Sequence, residues 1–462
     1  MKAVKFLVFL LSLSLSSFAV AHPSVDGILF MLSLPFLGIF FIVFLILALK
    51  YKSKVHGWIA ALPVIFVVCY VGYNIGKSMY RNDATVYIKE QLASPWNKGI
   101  INVPENATIR DLKLISSSTK VRGLKFYKNF SEDILNNFTN MKQLESLSLS
   151  YSKVEENGLR LLSEFPNLKE LNLMNSTVTD SGIAHIKNLH KLEKLYLGET
   201  KIGDAGLTSI KDLVELRELS LTETNITDAG LVNLEQLVKL KQLNLNQTKI
   251  SGEGLKYISS LKELESLDLY KTNITGQGLK YLSELINLKY LRMPDTKITA
   301  NSGINHLSNL KKLISLDLSY NSVEDNDLFY LKNLESLEKL ELSRVKINGE
   351  GLKYLTELQN LERLTIDCSN FNEEGYKQLS NFENLKSFSL DDVNLDDNNI
   401  EQLSSIKKFK YSHHVGLGNK GLTDKSIPFL LEFKCANFHG FYNAGISKLG
   451  RKKLEEYKIC RR

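Results

Sequence analysis

The sequence predicts an α/β solenoid carried behind an N-terminal transmembrane helical hairpin. Two observations predict it. Residues 1–80 are mostly apolar, whereas 81–462 are polar and rich in Leu, Lys, Asn, Glu and Ser. Within the polar part, a pattern of leucines recurs every 24 residues. Composition narrows the alternatives. With 44% apolar and 24% charged residues, 8 prolines and 27 glycines among 462 residues, the chain is neither disordered nor collagen-like. Four cysteines exclude a disulfide-dense scaffold. The net charge of +7 is modest, so its placement matters more than its size.

The apolar part reads as a signal and two spans. Lys2 and Lys5 precede an apolar core over 6–15, and Ala19-Val20-Ala21 forms a small-x-small cleavage pattern that would leave His22 at the new terminus. An uncharged run over 28–49 is 22 residues long; as a helix it reaches roughly 33 Å, enough for a hydrocarbon core of about 30 Å. A second run, 58–75, is near the shortest length that spans. Lys50, Lys52 and Lys54 lie between them, and 22–27 carry Asp26 but no Lys or Arg. The positive-inside rule therefore puts the turn in the cytoplasm and everything after about residue 78 outside it. An uncleaved signal would become a first span and leave this orientation unchanged. The expected location is the cell (inner) membrane, with the repeats on its periplasmic or extracellular side. The spans contain no Asp, Glu, Lys or Arg, so a transport path lacks its usual charges.

The repeat comes next. Segments starting at Leu192, Leu216, Leu240 and Leu264 read LEKLYLGETKIGDAGL, LRELSLTETNITDAGL, LKQLNLNQTKISGEGL and LESLDLYKTNITGQGL. Leading leucines at 144, 168, 192, 216, 240, 264 and 288 are 24 apart; one 25-residue step reaches Leu313, with its extra residue near Asn301-Ser302, and 24 resumes at 337, 361 and 385. Val121, Leu124 and Phe126 start a degenerate copy. The expected organisation is 1–21 signal or first span, 22–77 two transmembrane helices with a basic turn, 78–120 linker and N-terminal cap, 121–408 twelve repeats, and 409–462 degenerate repeats and C-terminal cap. In each copy LxL alternates like a half-buried strand, and GLxxLxxL spaces its leucines like a helix. Neither element buries its leucines alone, so copies must stack. Asp180, Asp204 and Asp228 are expected to cap the helices they open. The column Thr200, Thr224, Thr248, Thr272 and Thr296 is expected to satisfy loop backbone groups, joined by Ser152, Ser176 and Asn321 and broken at Val345 and Val393.

On these motifs the chain resembles the leucine-rich-repeat family, and the TxITDxGL signature is similar to its 24-residue, ribonuclease-inhibitor-like subclass. That subclass occurs in bacterial surface and effector proteins and in F-box subunits. The resemblance covers 121–408 strongly and 409–456 weakly. It implies a curved horseshoe with parallel strands on the concave side and helices on the convex side. It implies almost nothing about chemistry.

Alternation puts the third, fifth and seventh residues of each copy on the strand face. From Leu144 onward these include the acids Glu170, Glu218, Asp268, Asp317, Glu341, Asp367 and Asp391 and the bases Lys194, Arg292, Lys339 and Arg363. Seven acids against four bases argue against a nucleic-acid groove, which concentrates Lys and Arg on one face. Tyr270, Tyr290, Arg292 and Tyr320 are expected close together in adjacent strands, and Tyr and Arg anchor protein interfaces. The candidate partner-binding residues are Tyr196, Asp268, Tyr270, Tyr290, Arg292, Asp317, Tyr320, Glu341 and Arg363, for a protein or peptide ligand; the alternative is a solvated face with no partner.

No nucleotide, P-loop, zincin or nucleophile-elbow motif is present, so no cofactor, metal or catalysis is expected. Asp391-Asp392 and Asp396-Asp397 read as solvated turn acids rather than a calcium site. His413, His414, Cys435, His439 and Cys460 match no familiar zinc spacing, and neither does a copper site built on His22 find a second ligand. In an oxidising compartment Cys435 and Cys460 are a candidate disulfide, with Cys69 and Cys368 unpaired. The function expected is a membrane-anchored, non-catalytic repeat protein. The alternatives are a ubiquitin-ligase-type substrate adaptor, which needs a cytosolic solenoid and an F-box, and a purely structural or adhesion surface.

Overall fold

The computed structural model describes residues 84–94, 96–126, 132–154, 156–300, 303–367, 371–390, 395–404, 415–416, 421–432 and 445–457. The predicted signal sequence, both predicted spans and the basic turn lie outside them. Among the described residues no helix is long and apolar enough to cross a membrane. The chain divides into two compact units, Met1–Val121 and Arg122–Arg462.

The first unit contains α1 (Ala84–Ala93), β1 (Ile100–Val103) and α2 (Ile109–Ser116). The Gln91 amide ties α1 to β1, donating to the Asn102 carbonyl at 2.9 Å and accepting from its N–H at 2.7 Å. A capping box starts α2. Thr108 N–H donates to Asp111 Oδ2 at 2.8 Å, and Thr108 Oγ1 accepts from Asp111 N–H at 3.4 Å. Thr85 Oγ1 donates to the other Asp111 oxygen at 2.5 Å, joining α1 to α2.

The second unit is an α/β solenoid. Its strands are β2 (Gly123–Phe126), β3 (Ser146–Ser148), β4 (Glu170–Asn172), β5 (Lys194–Tyr196), β6 (Glu218–Ser220), β7 (Gln242–Asn244), β8 (Ser266–Asp268), β9 (Tyr290–Arg292), β10 (Ser315–Asp317), β11 (Lys339–Glu341), β12 (Arg363–Thr365), β13 (Ser387–Ser389) and β14 (Val415–Gly416). From β2 to β14 consecutive strands pair in parallel, in chain order. Leu171, Leu195, Leu219 and Leu243 face one another in register. The 25-residue step does not shift it: Leu291 still faces Leu316. The loop before Leu313 absorbs the extra residue, with Gly303 at φ +107°.

Burial follows the repeat. In the copy starting at Leu192, Leu195, Leu197, Ile202, Leu207, Ile210 and Leu213 are all 0% exposed. The opposite side of the solenoid is less helical than the leucine spacing predicts. Asp180–Ile183, Asp204–Leu207 and Asp228–Leu231 are single α-turns. Gly252–Tyr257, Gly276–Leu282, Asp325–Leu331 and Glu350–Tyr354 are 3₁₀-helices. A 24-residue copy has few residues left to return over the sheet, and the 3₁₀ rise of about 2.0 Å per residue covers more distance than the α-helix.

The expectation that Asp180, Asp204 and Asp228 cap their own helices is corrected. The caps are Thr179, Gly203 and Thr227, and each aspartate is the first helical residue. Its carboxylate reaches into the following copy instead. Asp180 accepts from Gly203 N–H at 2.7 Å. Asp204 accepts from Thr227 N–H at 2.8 Å and Oγ1 at 2.6 Å. Asp228 does the same for Ser251, at 2.7 and 2.5 Å. Asp325 serves Asn348 and Gly351 N–H, and Asp424 serves Ser447 N–H. The glycine of the motif makes room for this contact: a Cβ on Gly230 would collide with the Asp204 carboxylate, and one on Gly254 with that of Asp228.

From Thr200 to Thr272 the threonine column acts within its own copy. Thr200, Thr224 and Thr248 Oγ1 each donate to the carbonyl three residues back at 2.6 Å, and Thr272 does so at 2.7 Å. Asn321 takes over at the tenth strand, donating to the Leu318 carbonyl at 3.0 Å and to Met293 at 2.8 Å across copies. Val345 replaces the hydroxyl with a buried apolar side chain, as expected; Val393 lies outside the described residues. Asp228→Ala is expected to cost about 1–3 kcal/mol, because Ser251 N–H loses its acceptor in a part-buried site. Urea unfolding of the variant against the parent measures it, and an unchanged midpoint would dismiss the inter-copy bond as a source of stability.

Candidate functional site

In each three-residue strand the middle side chain is buried, and the first and third lie on the solvent side of the sheet. The strict register therefore stacks the third residues of β8, β9, β10 and β11 into one row: Asp268, Arg292, Asp317, Glu341. Arg292 holds the row together. Its Nη1 donates to Asp268 Oδ2 at 3.1 Å, and its Nε is 3.4 Å from Asp317 Oδ2. The guanidinium carbon sits 5.0 Å from the centre of the Tyr270 ring. The Arg292 side chain is 48% exposed, so these ion pairs are screened and add little stability; their effect is to fix its direction.

Asp317 is different, with a side chain only 10% exposed. Burial pushes its carboxyl above the usual carboxylate range. Hydrogen bonds from Ser319 pull it down, Glu341 on the adjacent strand pushes it further up, and Arg292 opposes that push. The Ser319 N–H to Asp317 Oδ1 distance is 3.0 Å. Glu341 pairs with Lys339. Asp367 accepts from Ser343 Oγ at 3.0 Å and from Ser389 Oγ at 2.7 Å.

Beyond the strand ends the chain turns through a left-handed residue in each copy from Tyr151 to Arg344, none of them glycine. Here these are Lys271, Asp295, Tyr320 and Arg344, at φ of 52°, 54°, 58° and 56°. Each turn is held from the next copy: Tyr320 N–H donates to the Ser343 carbonyl and Arg344 N–H to that of Asp367, both at 2.7 Å. Lys271 Nζ lies 5.0 Å from the Tyr270 ring centre, and the Arg344 guanidinium 5.5 Å from that of Tyr320. Row and turns together line an open groove of about 650 Å³.

Of the residues singled out from sequence, Tyr270, Arg292, Asp317, Tyr320 and Glu341 line this groove, and Asp268 joins it through Arg292. Tyr270 and Tyr320 lie past the ends of β8 and β10, not in adjacent strands as expected. Tyr290 starts β9, exposed and outside the lining. Arg363 is exposed on β12, also outside it. Tyr196 is far along the sheet on β5; its hydroxyl donates to Glu218 at 2.7 Å, and burial, then Glu218, pushes the phenol up. Lys271, Asp295 and Arg344 were missed, because strict alternation assigns the eighth position to the core. The signal was present: that column, Tyr151, Asn175, Glu199, Glu223, Gln247, Lys271, Asp295, Tyr320, Arg344, contains no aliphatic residue.

The remaining candidates fall elsewhere. Cys69, Cys368, Asp391, Asp392, His413, His414, Cys435, His439 and Cys460 lie outside the described residues. Asp397 accepts from Thr423 N–H at 2.8 Å and Oγ1 at 2.6 Å, the same inter-copy bond as its counterparts. Among the described residues no three His, Cys, Asp or Glu side chains gather to hold a metal.

The raised carboxyl of Asp317 has a testable sign. A carboxyl whose folded pKa exceeds its unfolded value stabilises the fold below the unfolded pKa, and that contribution disappears as pH rises through the folded pKa. Asp317→Asn keeps an oxygen for Ser319 and removes the charge beside Glu341. It is expected to raise Tm by roughly 1–2 °C at pH 7, with the gap closing as the pH falls through the carboxylate range. Thermal melts across pH 3–8 check this; a variant less stable at pH 7 than at pH 4, relative to the parent, reverses the assignment.

The Leucine Rich repeat family matches residues 166–186, 188–211, 216–234 and 236–259. No curated protein matches the chain. Among solved structures, a leucine-rich-repeat protein of Leptospira interrogans is similar at a TM-score of 0.54 and 18% identity, covering 80% of this chain and 96% of that one. Two internalins of Listeria monocytogenes also match. The inlF protein does so at 0.48 and 25% identity, over 62% of this chain and 90% of that one; inlC2 does so at 0.38 and 27%, over 46% and 84%. With four consecutive copies matched and the solenoid shared, the chain is a leucine-rich-repeat protein.

Proposed function

We propose that the strand face binds a protein or peptide partner at the groove over β8 to β11, without catalysis. The leucine-rich-repeat fold suits protein–protein interaction, because it displays a long, regular row of side chains on a rigid backbone. The observation that carries the reading is Arg292, fixed between Asp268 and Asp317 and stacked on Tyr270 within an open groove. Tyr and Arg are the side chains that most often dominate binding energy, and an anchor oriented in advance loses less entropy on association. The lining holds no His or Cys, and its Ser343 hydroxyl donates to the Asp367 carboxylate, which also accepts from Ser389 Oγ. We propose further that the N-terminal segment holds the chain in the cell membrane and exports the repeats. The uncharged runs at 28–49 and 58–75 and the lysines between them support that reading.

Peptides selected from a phage-displayed library on the full-length chain test the groove. Tyr270→Ala with Arg292→Ala is expected to weaken the selected peptides about tenfold or more. Equal affinity for the double variant would place binding elsewhere. Orientation is tested separately, by fusing alkaline phosphatase or green fluorescent protein to the C-terminus in a bacterial host. Active phosphatase with dark fluorescence is expected; the reverse would place the repeats in the cytoplasm and favour an adaptor.

A further inference from the structure

We propose that the groove selects partners by a cationic side chain, an arginine or lysine of an extended segment, seated between Asp317 and Glu341 beside Tyr320. The inference rests on the binding reading above and specifies its chemistry. The register carries it. Along the row the order is acid, base, acid, acid, so Asp317 has Arg292 on one side and Glu341 on the other. Neighbouring strands lie about 4.8 Å apart, and like charges directly opposite destabilise a sheet. Between Asp268 and Asp317 the chain places a guanidinium over a tyrosine ring. Between Asp317 and Glu341 the row itself supplies no cation. Lys339 reaches Glu341 from the start of the same strand, so three carboxylates of the row share two cations.

The tyrosines define the rest of the subsite. Tyr320 is 53% exposed, and its ring already takes the guanidinium of Arg344, an exposed turn residue. The chain's own arginines thus show that both ring faces accept a guanidinium. An incoming cation replaces Arg344 on Tyr320 and relieves the Asp317–Glu341 repulsion. A neutral partner leaves that repulsion in place, and an acidic one adds to it.

The phage-selected peptides decide the matter when they are sequenced and remade. A recurrent Arg or Lys is expected, and replacing it by norleucine should weaken binding about tenfold. The same loss is expected from Asp317→Asn with Glu341→Gln, and the two losses should not add, because they remove one contact. Arg344→Ala should tighten binding about threefold by freeing the Tyr320 face, a gain that misfolding cannot imitate. Peptides that need Tyr270 and Arg292 but lack a basic residue would overturn this inference and leave the groove reading standing. So would basic peptides indifferent to the Asp317 and Glu341 changes, or an Arg344→Ala variant that binds no better. Peptides indifferent to the Tyr270 and Arg292 changes as well would remove both.

Discussion

A single 24-residue copy cannot close around its own leucines, and every other feature of the second unit follows from that. The buried column of one copy is completed by the next, so backbone polar groups must also find partners one copy away. They do so at three levels. The strands exchange ladder bonds, the left-handed turn residues donate to the following strand end, and the helix-opening aspartates accept from the following cap. From β3 to β9 all three recur at one spacing. The single 25-residue step is therefore confined to a loop, where Gly303 takes a conformation other residues avoid, while Leu291 and Leu316 remain paired.

Once the interior is locked this way, the outward positions of each strand are released from packing. Leu316 holds β10 in place whether its neighbours are Ser315 and Asp317 or any other polar pair. The rows can then differ along the sheet at little cost to the fold. Toward β3 the face is hydroxyl-rich, with Ser148 and Ser150 in mutual contact at 3.3 Å. Over β8 to β11 it turns to charge and tyrosine. The fold gives both stretches the same backbone; the second also has an open groove and an arginine fixed within it.

What the sequence showed depended on range. Strands and buried leucines obey local periodicity, so LxL and its 24-residue recurrence were sufficient to place them. The motif aspartates were misread because the local rule for a residue opening a helix is to cap that helix. The N–H groups that Asp204 and Asp228 serve lie 23 residues on, where no local rule looks. The 3₁₀ segments were misread for a related reason: leucine spacing records which side is buried, not how tightly the backbone winds. In the groove, Tyr270 and Arg292 were visible as residue types, but their contact was not. Tyr196 looked like an equivalent anchor until its hydroxyl proved to be engaged by Glu218. In the eighth column Tyr320 was visible as a residue type, but Lys271, Asp295 and Arg344 escaped because alternation ends with the strand, and the left-handed turn puts their side chains on the groove instead of in the core.

The electrostatics of Asp317 separate structure from binding more sharply than exposure does. Burying a carboxylate beside Glu341 opposes folding at neutral pH, and Arg292 offsets only part of that. Nothing in the leucine columns requires it, since β6, β7 and β12 place Ser220, Asn244 and Thr365 at the same position. Two of the inter-copy aspartates behave in the opposite way. Asp397 and Asp424 are drawn below the usual carboxylate range: burial works against the first, but hydrogen bonds to Ser426 and Thr423 outweigh it, and bonds to Ser447 act on the second. Their contribution is present above the ordinary carboxylate pKa and is lost as pH falls through the lowered one. A carboxylate that the fold stabilises is serving the fold. A carboxylate held in place against its own ionisation, on the open face of a groove, is one whose burden a partner's cation would relieve.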